Sequence, residues 1–134
     1  APMAEPVVVS DDEPVTVDLL IERIIKPGYD HMASPEVMMA FQLLLADARN
    51  MRVQVQQWHS RTVEPFAQSL ERVVRRGMKE GTLRQSVVME YPWFILVPNQ
   101  HVMLSNMLLG QNWHLDLDEC LRIQVAMVRE LLTP

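Results

Sequence analysis

The hydrophobic residues of this chain recur at intervals of three and four positions over most of its length, which is the spacing of one face of an α-helix. The first such face follows Val15 and consists of Leu20, Ile21, Ile24 and Ile25. Pro27 and Gly28 come next and are expected to break or kink the helix, because proline has no amide hydrogen to donate. The pattern predicts a first helix near residues 16–31.

The stretch Ser34-Pro35-Glu36 predicts the start of a second helix. Serine caps free backbone amides, proline suits the first helical position, and glutamate complements the positive helix end. The apolar residues that follow and share one face are Val37, Phe41, Leu44, Leu45 and Ala48. We expect this helix over residues 35–48.

The longest predicted helix covers residues 52–79 and carries two neighbouring apolar stripes. The first consists of Val55, Trp58, Thr62, Phe66, Leu70 and Val73, and the second of Val63, Ala67, Leu70, Val74 and Met78. Two adjacent stripes indicate a wide buried face and therefore a central helix. Pro65 is expected to kink this helix, and Gly81 is expected to end it.

Four basic residues, Arg72, Arg75, Arg76 and Lys79, lie in the last turns of the long helix, where cations suit the helix dipole. They form either a solvated basic face or a patch that binds nucleic acid. The net charge of −5 favours the solvated face, since binding of phosphate needs a clustered positive surface.

Two further helices are predicted near residues 87–109 and 117–132. The first is apolar almost all round, although it contains Pro92 and Pro98. The second begins with Asp116 and Glu119 at the spacing of a capping box, and its apolar residues occupy more than one face. Helices with so much apolar surface need cover on several sides. In a chain of 134 residues, a partner subunit is the natural cover.

The composition fits one globular domain over residues 15–134, after an acidic, proline-rich leader over residues 1–14 that is expected to be extended or mobile. Hydrophobic residues make up 49% and charged residues 22% of the chain. Its 10 methionines allow two interpretations. They either fill irregular space in the core or wall an adaptable cavity.

Catalytic and metal-binding signatures are not found in the sequence. None of the four histidines belongs to an H-E-x-x-H pair, and nucleotide-binding glycine motifs are missing, so neither an enzyme nor a cofactor nor a metal is expected. Cys120 is interpreted as a small core residue in preference to a nucleophile. A single cysteine and the lack of a signal-peptide pattern predict a cytoplasmic protein, and the apolar runs are too short for a membrane span.

Polar residues within apolar helices are the remaining candidates for function. Asn99 and His101 could pair within the core, pair across a dimer interface, or face a ligand, because buried polar groups need partners. Trp58 is expected in the core or in a cavity wall. His59, one position off the apolar stripe, is expected at the surface.

The order of these elements resembles the C-terminal ligand-binding and dimerisation domain of the tetracycline-repressor (TetR/AcrR-like) family of transcriptional regulators. A helix that starts at SPE and continues as LLLADAR precedes a long helix with VEP and then GMKEGTLR, a bulky apolar helix, and a final amphipathic helix. The resemblance covers approximately residues 15–132. It implies an all-α domain of about five helices, in which the first three wall a ligand pocket and the last two form a four-helix bundle with a second copy.

The resemblance also implies particular site residues, assigned from their helical faces. The implied pocket walls are Met38, Phe41, Trp58, Phe66, Trp93, Phe94 and His101. The implied contacts near the two-fold axis of a homodimer are Leu104, Leu108, Leu121, Val125 and Val128. A small, largely apolar effector would shift the spacing of two attached DNA-binding units, as in a repressor.

The family carries an N-terminal helix-turn-helix unit that binds DNA, and the acidic leader cannot supply one. We therefore expect either a fragment or a protein that has lost its DNA-binding half. The alternative function is a stand-alone helical dimerisation or interaction protein without an inducer. A helical-bundle enzyme or metal protein is the third interpretation.

Overall fold

The computed structural model describes residues 5–134, and this part of the chain is helical without any β-strand, as the all-α prediction requires. The α-helices are α1 (Val17–Leu20), α2 (Lys26–Met32), α3 (Pro35–Ala46), α4 (Arg52–Trp58), α5 (Glu64–Glu80), α6 (Val97–Leu109) and α7 (Leu117–Leu132). The π-helical turns Ile21–Ile25 and His59–Val63 join α1 to α2 and α4 to α5, so residues 5–134 contain five continuous α-helical segments.

Both π turns end two residues before a proline. The first turn ends at Ile25, ahead of Pro27, and the second ends at Val63, ahead of Pro65. Proline has no amide hydrogen and its ring crowds the carbonyl four residues earlier, which in each case lies inside the π turn. The wider turn accommodates the proline, so the helix continues where the sequence suggested a break or a kink.

The predicted start of the fourth helix is wrong, because α6 begins at Val97 and not near residue 87. Two 3₁₀ turns, Val87–Met89 and Pro92–Leu96, occupy the preceding segment. Pro92 opens the second turn and Pro98 lies in the first turn of α6, where a missing amide hydrogen breaks no helical bond. The two prolines mark the beginnings of elements.

Side chains cap the N-termini of α3 and α7, as the sequence predicts. Ser34 Oγ accepts a hydrogen bond from the amide of Val37 at 3.5 Å, ahead of α3. Asp116 Oδ1 accepts one from the amide of Glu119 at 2.8 Å, ahead of α7. The starts of these two helices are therefore confirmed.

The motif G-x-x-x-G-x-L-R ends α5 and joins it to α7. Gly81 adopts a left-handed backbone with φ of 81°, which glycine does without steric cost. Leu83 packs beneath Gly77, where an added Cβ would lie 2.6 Å from Leu83 Cδ1. The amide of Arg84 donates to the carbonyl of Leu132 at 2.8 Å, and its guanidinium donates to the two carbonyls before that. The motif is structural.

The hydrophobic core lies mainly among α1, α2, the C-terminal half of α5, and α7. We call residues 15–32, 69–83 and 117–132 the packed half. Its fully buried apolar side chains include Val15, Leu20, Ile25, Leu70, Val74, Leu83, Val128 and Leu132. In contrast, residues 35–63, which we call the cavity arm, contain no buried residue. No helix in residues 5–134 is both long and apolar enough to cross a membrane.

The described part of the leader is held against the helices by two arginines. Arg76 donates hydrogen bonds to three backbone carbonyl groups of the leader. Arg23 forms an ion pair with Glu13, and the amide of Val7 donates to Ser69 Oγ at 2.8 Å. Arg76, predicted as one of the basic residues on a solvated face, instead attaches the leader. Residues 1–4 of the predicted leader lie outside the described residues.

Candidate ligand-binding cavity

A cavity of about 860 Å³ separates part of the cavity arm from the rest of the molecule. Its walls come from α2 and the π turn before it, from α3, from α4 and the second π turn, and from the starts of α5 and α6. Both π turns contribute to the walls, through Ile24 in the first and through His59 and Val63 in the second. The proline-adapted turns therefore lie beside the cavity.

Five of the seven implied pocket residues line this cavity, namely Met38, Phe41, Trp58, Phe66 and Trp93. The other two are not among its lining residues. The ring of Phe94 is 59% exposed and packs edge-to-face on Tyr91 at 5.3 Å between centroids. His101 is exposed and lies 6.3 Å from the ring of Trp113.

Two nearly perpendicular aromatic pairs form part of the wall. The rings of Phe41 and Trp58 meet at 87° with centroids 6.4 Å apart, and those of Phe66 and Trp93 meet at 89° with centroids 5.6 Å apart. Edge-to-face contacts place the positive ring edge on the negative ring face. The pairs hold broad apolar surfaces toward the cavity, and Trp58 is part of the wall.

A buried chain of hydrogen bonds connects the cavity wall to α7. Tyr29 Oη donates to Gln124 Oε1 at 2.7 Å, and Gln124 Nε2 donates to the carbonyl of Ile95 at 3.0 Å and to Asn99 Oδ1 at 2.5 Å. Burial raises the pKa of Tyr29, so its hydroxyl remains a donor at neutral pH. Asn99 also lines the cavity, so the same side chain accepts a hydrogen bond from the buried Gln124 and forms part of the cavity wall.

The charged residues of the cavity lining are well exposed, which puts them at the cavity mouth. The side chain of Arg23 is 42% exposed and is paired with Glu13. The side chains of His59 and Glu64 are 55% and 54% exposed, with Nδ1 and Oε1 3.7 Å apart. Inside this mouth the lining is mainly apolar.

Cys120 packs in the core with 6% of its surface exposed, as the sequence predicts. Burial and the nearby Asp116 and Glu119 raise the pKa of its thiol, which keeps the sulfur protonated and weakly nucleophilic. Within residues 5–134, no three His, Cys, Asp or Glu side chains are grouped closely enough to hold a metal ion.

The residues assigned to a dimer interface differ in exposure. On α6, Leu104 and Leu108 are 41% and 78% exposed. On α7, Leu121 and Val125 are half-buried, and Val128 is only 2% exposed because it packs inside its own chain. Val128 therefore has almost no surface to offer a partner. The large exposed apolar residues of α7 are Ile123 and Met127.

The resemblance placed the first helical segment in the pocket wall, but sequence reasoning assigned none of its residues to the pocket. Pro27, Gly28 and His31 of this segment line the cavity. The available signal was the Pro-Gly pair, which marks a place where another group can approach the backbone closely. Asn99 had been recognised as a residue that could face a ligand.

Neither protein-family models, nor curated proteins, nor solved structures give a significant match to this chain.

Proposed function

We propose that this chain is the effector-binding and dimerisation domain of a TetR-like transcriptional regulator that senses a small, largely apolar molecule. The cavity carries the proposal. Its volume of about 860 Å³ falls within the range of about 300–1,000 Å³ of small-molecule sites. Its apolar, aromatic wall with a few polar groups has the composition of such sites.

The regulatory mechanism is a shift between two arrangements of the helices around the cavity. A ligand that contacts the cavity arm and α6 together stabilises one arrangement over the other. The hydrogen bond between Asn99 and Gln124 links the cavity wall to α7, so a movement of the wall is transmitted to the last helix. In a regulator, this change alters the spacing of two DNA-binding units that lie outside this chain.

The homodimer of this proposal uses the outer face of α6 and the neighbouring edge of α7. Leu104 and Leu108 supply exposed apolar surface on α6, and Ile123 supplies it on α7. Leu108→Arg should convert a dimer to a monomer in sedimentation velocity, because a dimer would bury that charge without a partner. Leu43→Arg is the control, since Leu43 is 67% exposed on the cavity arm. A dimeric Leu108→Arg protein would contradict this interface.

A stand-alone helical dimerisation protein is the second candidate, and the exposed apolar residues of α6 and α7 support it equally. Filling the cavity distinguishes the two. Compounds from an apolar small-molecule library that raise the melting temperature of the protein should lose their effect in Ala67→Trp, because Ala67 lines the cavity. Ala40→Trp, which alters an exposed position of α3, should keep the response. A library without any active compound would favour the second candidate.

A further inference from the structure

The orientation of the Asn99 amide follows from a chain of acceptors and donors that starts at a backbone carbonyl. The carbonyl of Ile95 can only accept, so the group of Gln124 that faces it at 3.0 Å must be the NH₂. The same NH₂ donates to Asn99, whose nearer side-chain atom must therefore be the oxygen. The Asn99 NH₂ is then left pointing away from Gln124.

This NH₂ group borders the cavity. Nδ2 lies over Gly28, only 2.6 Å from where a Cβ on that residue would be, and both residues line the cavity. Within residues 5–134, Nδ2 donates no hydrogen bond, whereas no fully buried side-chain nitrogen or oxygen lacks a partner. Nδ2 is therefore accessible from the open space, and Gly28 makes room for it.

We propose that the cavity selects apolar molecules that carry an uncharged hydrogen-bond acceptor, such as a ketone, amide or ester carbonyl, and that Asn99 Nδ2 donates to it. This inference rests on the proposed function and specifies its ligand. An unpaired polar donor in an apolar wall favours an acceptor over a plain hydrocarbon, which would leave the NH₂ without a partner.

An anionic acceptor fits the same position poorly. A carboxylate loses much hydration on entering an apolar cavity, and a neutral amide donor replaces little of it. The cationic Arg23 of the lining is at the mouth and already paired with Glu13. A neutral carbonyl oxygen needs only one donor and brings no charge into the cavity.

Benzophenone and diphenylmethane test this inference, because they share their rings and differ in one carbonyl oxygen. In isothermal titration calorimetry, the protein should bind benzophenone about 3- to 10-fold more tightly than diphenylmethane. This ratio corresponds to the net contribution of one hydrogen bond. Asn99→Leu should lose the preference. Asn106→Leu, a change on the same helix outside the cavity, should keep it.

Asn99→Asp separates recognition of the ligand from support of the fold. At pH 8 the carboxylate still offers Gln124 an acceptor, but its second oxygen faces the cavity and cannot donate. This variant should stay folded by circular dichroism and bind benzophenone no more tightly than diphenylmethane.

The outcomes distinguish this inference from the proposed function. Equal affinities in the unaltered protein, or a preference for benzophenone that survives in both Asn99 variants, would overturn the role of Asn99 and leave a ligand-binding cavity in place. If neither compound binds, the proposed effector-binding function itself is contradicted.

Discussion

The packed half and the cavity arm have similarly apolar sequences, but their apolar side chains differ in burial. In the packed half, Leu20, Leu70 and Leu132 have no exposed surface. In the cavity arm, Met39 and Leu43 are 62% and 67% exposed, and the inward side chains border open space instead of a filled core. Hydrophobic content alone therefore does not determine burial. The arrangement of the helices decides whether an apolar face fills a core or walls a cavity.

The difference also concerns stability. Close packing gives each buried side chain many contacts, and the net stability of a small domain depends on a modest number of such residues. A segment without any buried residue has few of these contacts and opens at low free-energy cost. The cavity arm is therefore expected to open more readily than the packed half.

The largest effect is expected when one leucine in each region is replaced by alanine. Leu70→Ala should lower the free energy of unfolding by about 2–5 kcal/mol, because it leaves a hole in a filled core. Leu44→Ala, at a half-buried position of the cavity arm, should cost about 1 kcal/mol or less. Urea denaturation measures both changes. Equal costs would mean that the arm is packed as tightly as the core.

Two glycines within α-helices, Gly28 in α2 and Gly77 in α5, extend the comparison to the scale of one methyl group. Gly77→Ala should cost about 1–3 kcal/mol, because the new Cβ meets Leu83 and Val15 atoms at 2.6–2.9 Å inside the packed half. Gly28→Ala meets only the Asn99 amide, which can swing into the cavity, and alanine favours the helix by about 1 kcal/mol.

We therefore expect a nearly unchanged melting temperature for Gly28→Ala, together with a reduced preference for benzophenone. A drop in melting temperature as large as that of Gly77→Ala would contradict an open space beside Gly28.

Alkaline pH probes the hydrogen bonds that link the packed half to Ile95 and to Asn99 in the cavity wall. Burial raises the pKa of Tyr29 above its ordinary value of 10. The folded state therefore favours the neutral phenol, so its stabilising effect is complete below pH 10 and is lost as the pH rises toward the folded-state pKa. Chemical denaturation at pH 8 and above pH 10 should show this loss, and Tyr29→Phe should reduce it. An unchanged pH dependence in Tyr29→Phe would contradict a buried, neutral phenol.

The smallest expected effect concerns the leader, which is attached to the packed half. Hydrogen bonds from Arg23 lower the pKa of Glu13 from 4.5 to about 2. The contribution of the Glu13–Arg23 pair to this attachment is complete above the unfolded pKa and is lost as the pH falls from about 4.5 to about 2. Hydrogen-exchange protection of leader amides should decrease over this range, and Glu13→Gln should have low protection at every pH. A leader equally protected in Glu13→Gln would be held by Arg76 and Ser69 without a contribution from the ion pair.

Local signals allowed much of the fold to be predicted. Ser34 and Asp116 marked helix starts correctly, because capping depends only on residues within one turn. Pro92 and Pro98 were misread, since proline is compatible with both a disturbed helix and the first turn of a new one. Only the surrounding packing distinguishes these cases.

The site was less predictable than the fold for a related reason. On α7, Val128 and Met127 are adjacent apolar residues, yet one is 2% and the other 44% exposed. Apolar residues cover more than half of the circumference of this helix. The sequence alone therefore does not show which side packs against the rest of its own chain and which side is exposed. Likewise, Phe41 and Trp58 had the pattern of core residues, and periodicity does not distinguish a cavity wall from a filled core.

The bonds of Arg84 to the last carbonyls of α7 make that end of the helix a pivot. Arg84 lies four residues after the end of α5 and donates to three successive carbonyl groups, which ties the end of α7 to the end of α5. A helix of 16 residues is about 24 Å long. Each degree of tilt about this pivot displaces the opposite end, near Leu117, by about 0.4 Å. A tilt of α7 by a few degrees about its C-terminal end would thus displace its N-terminal end by an ångström or more.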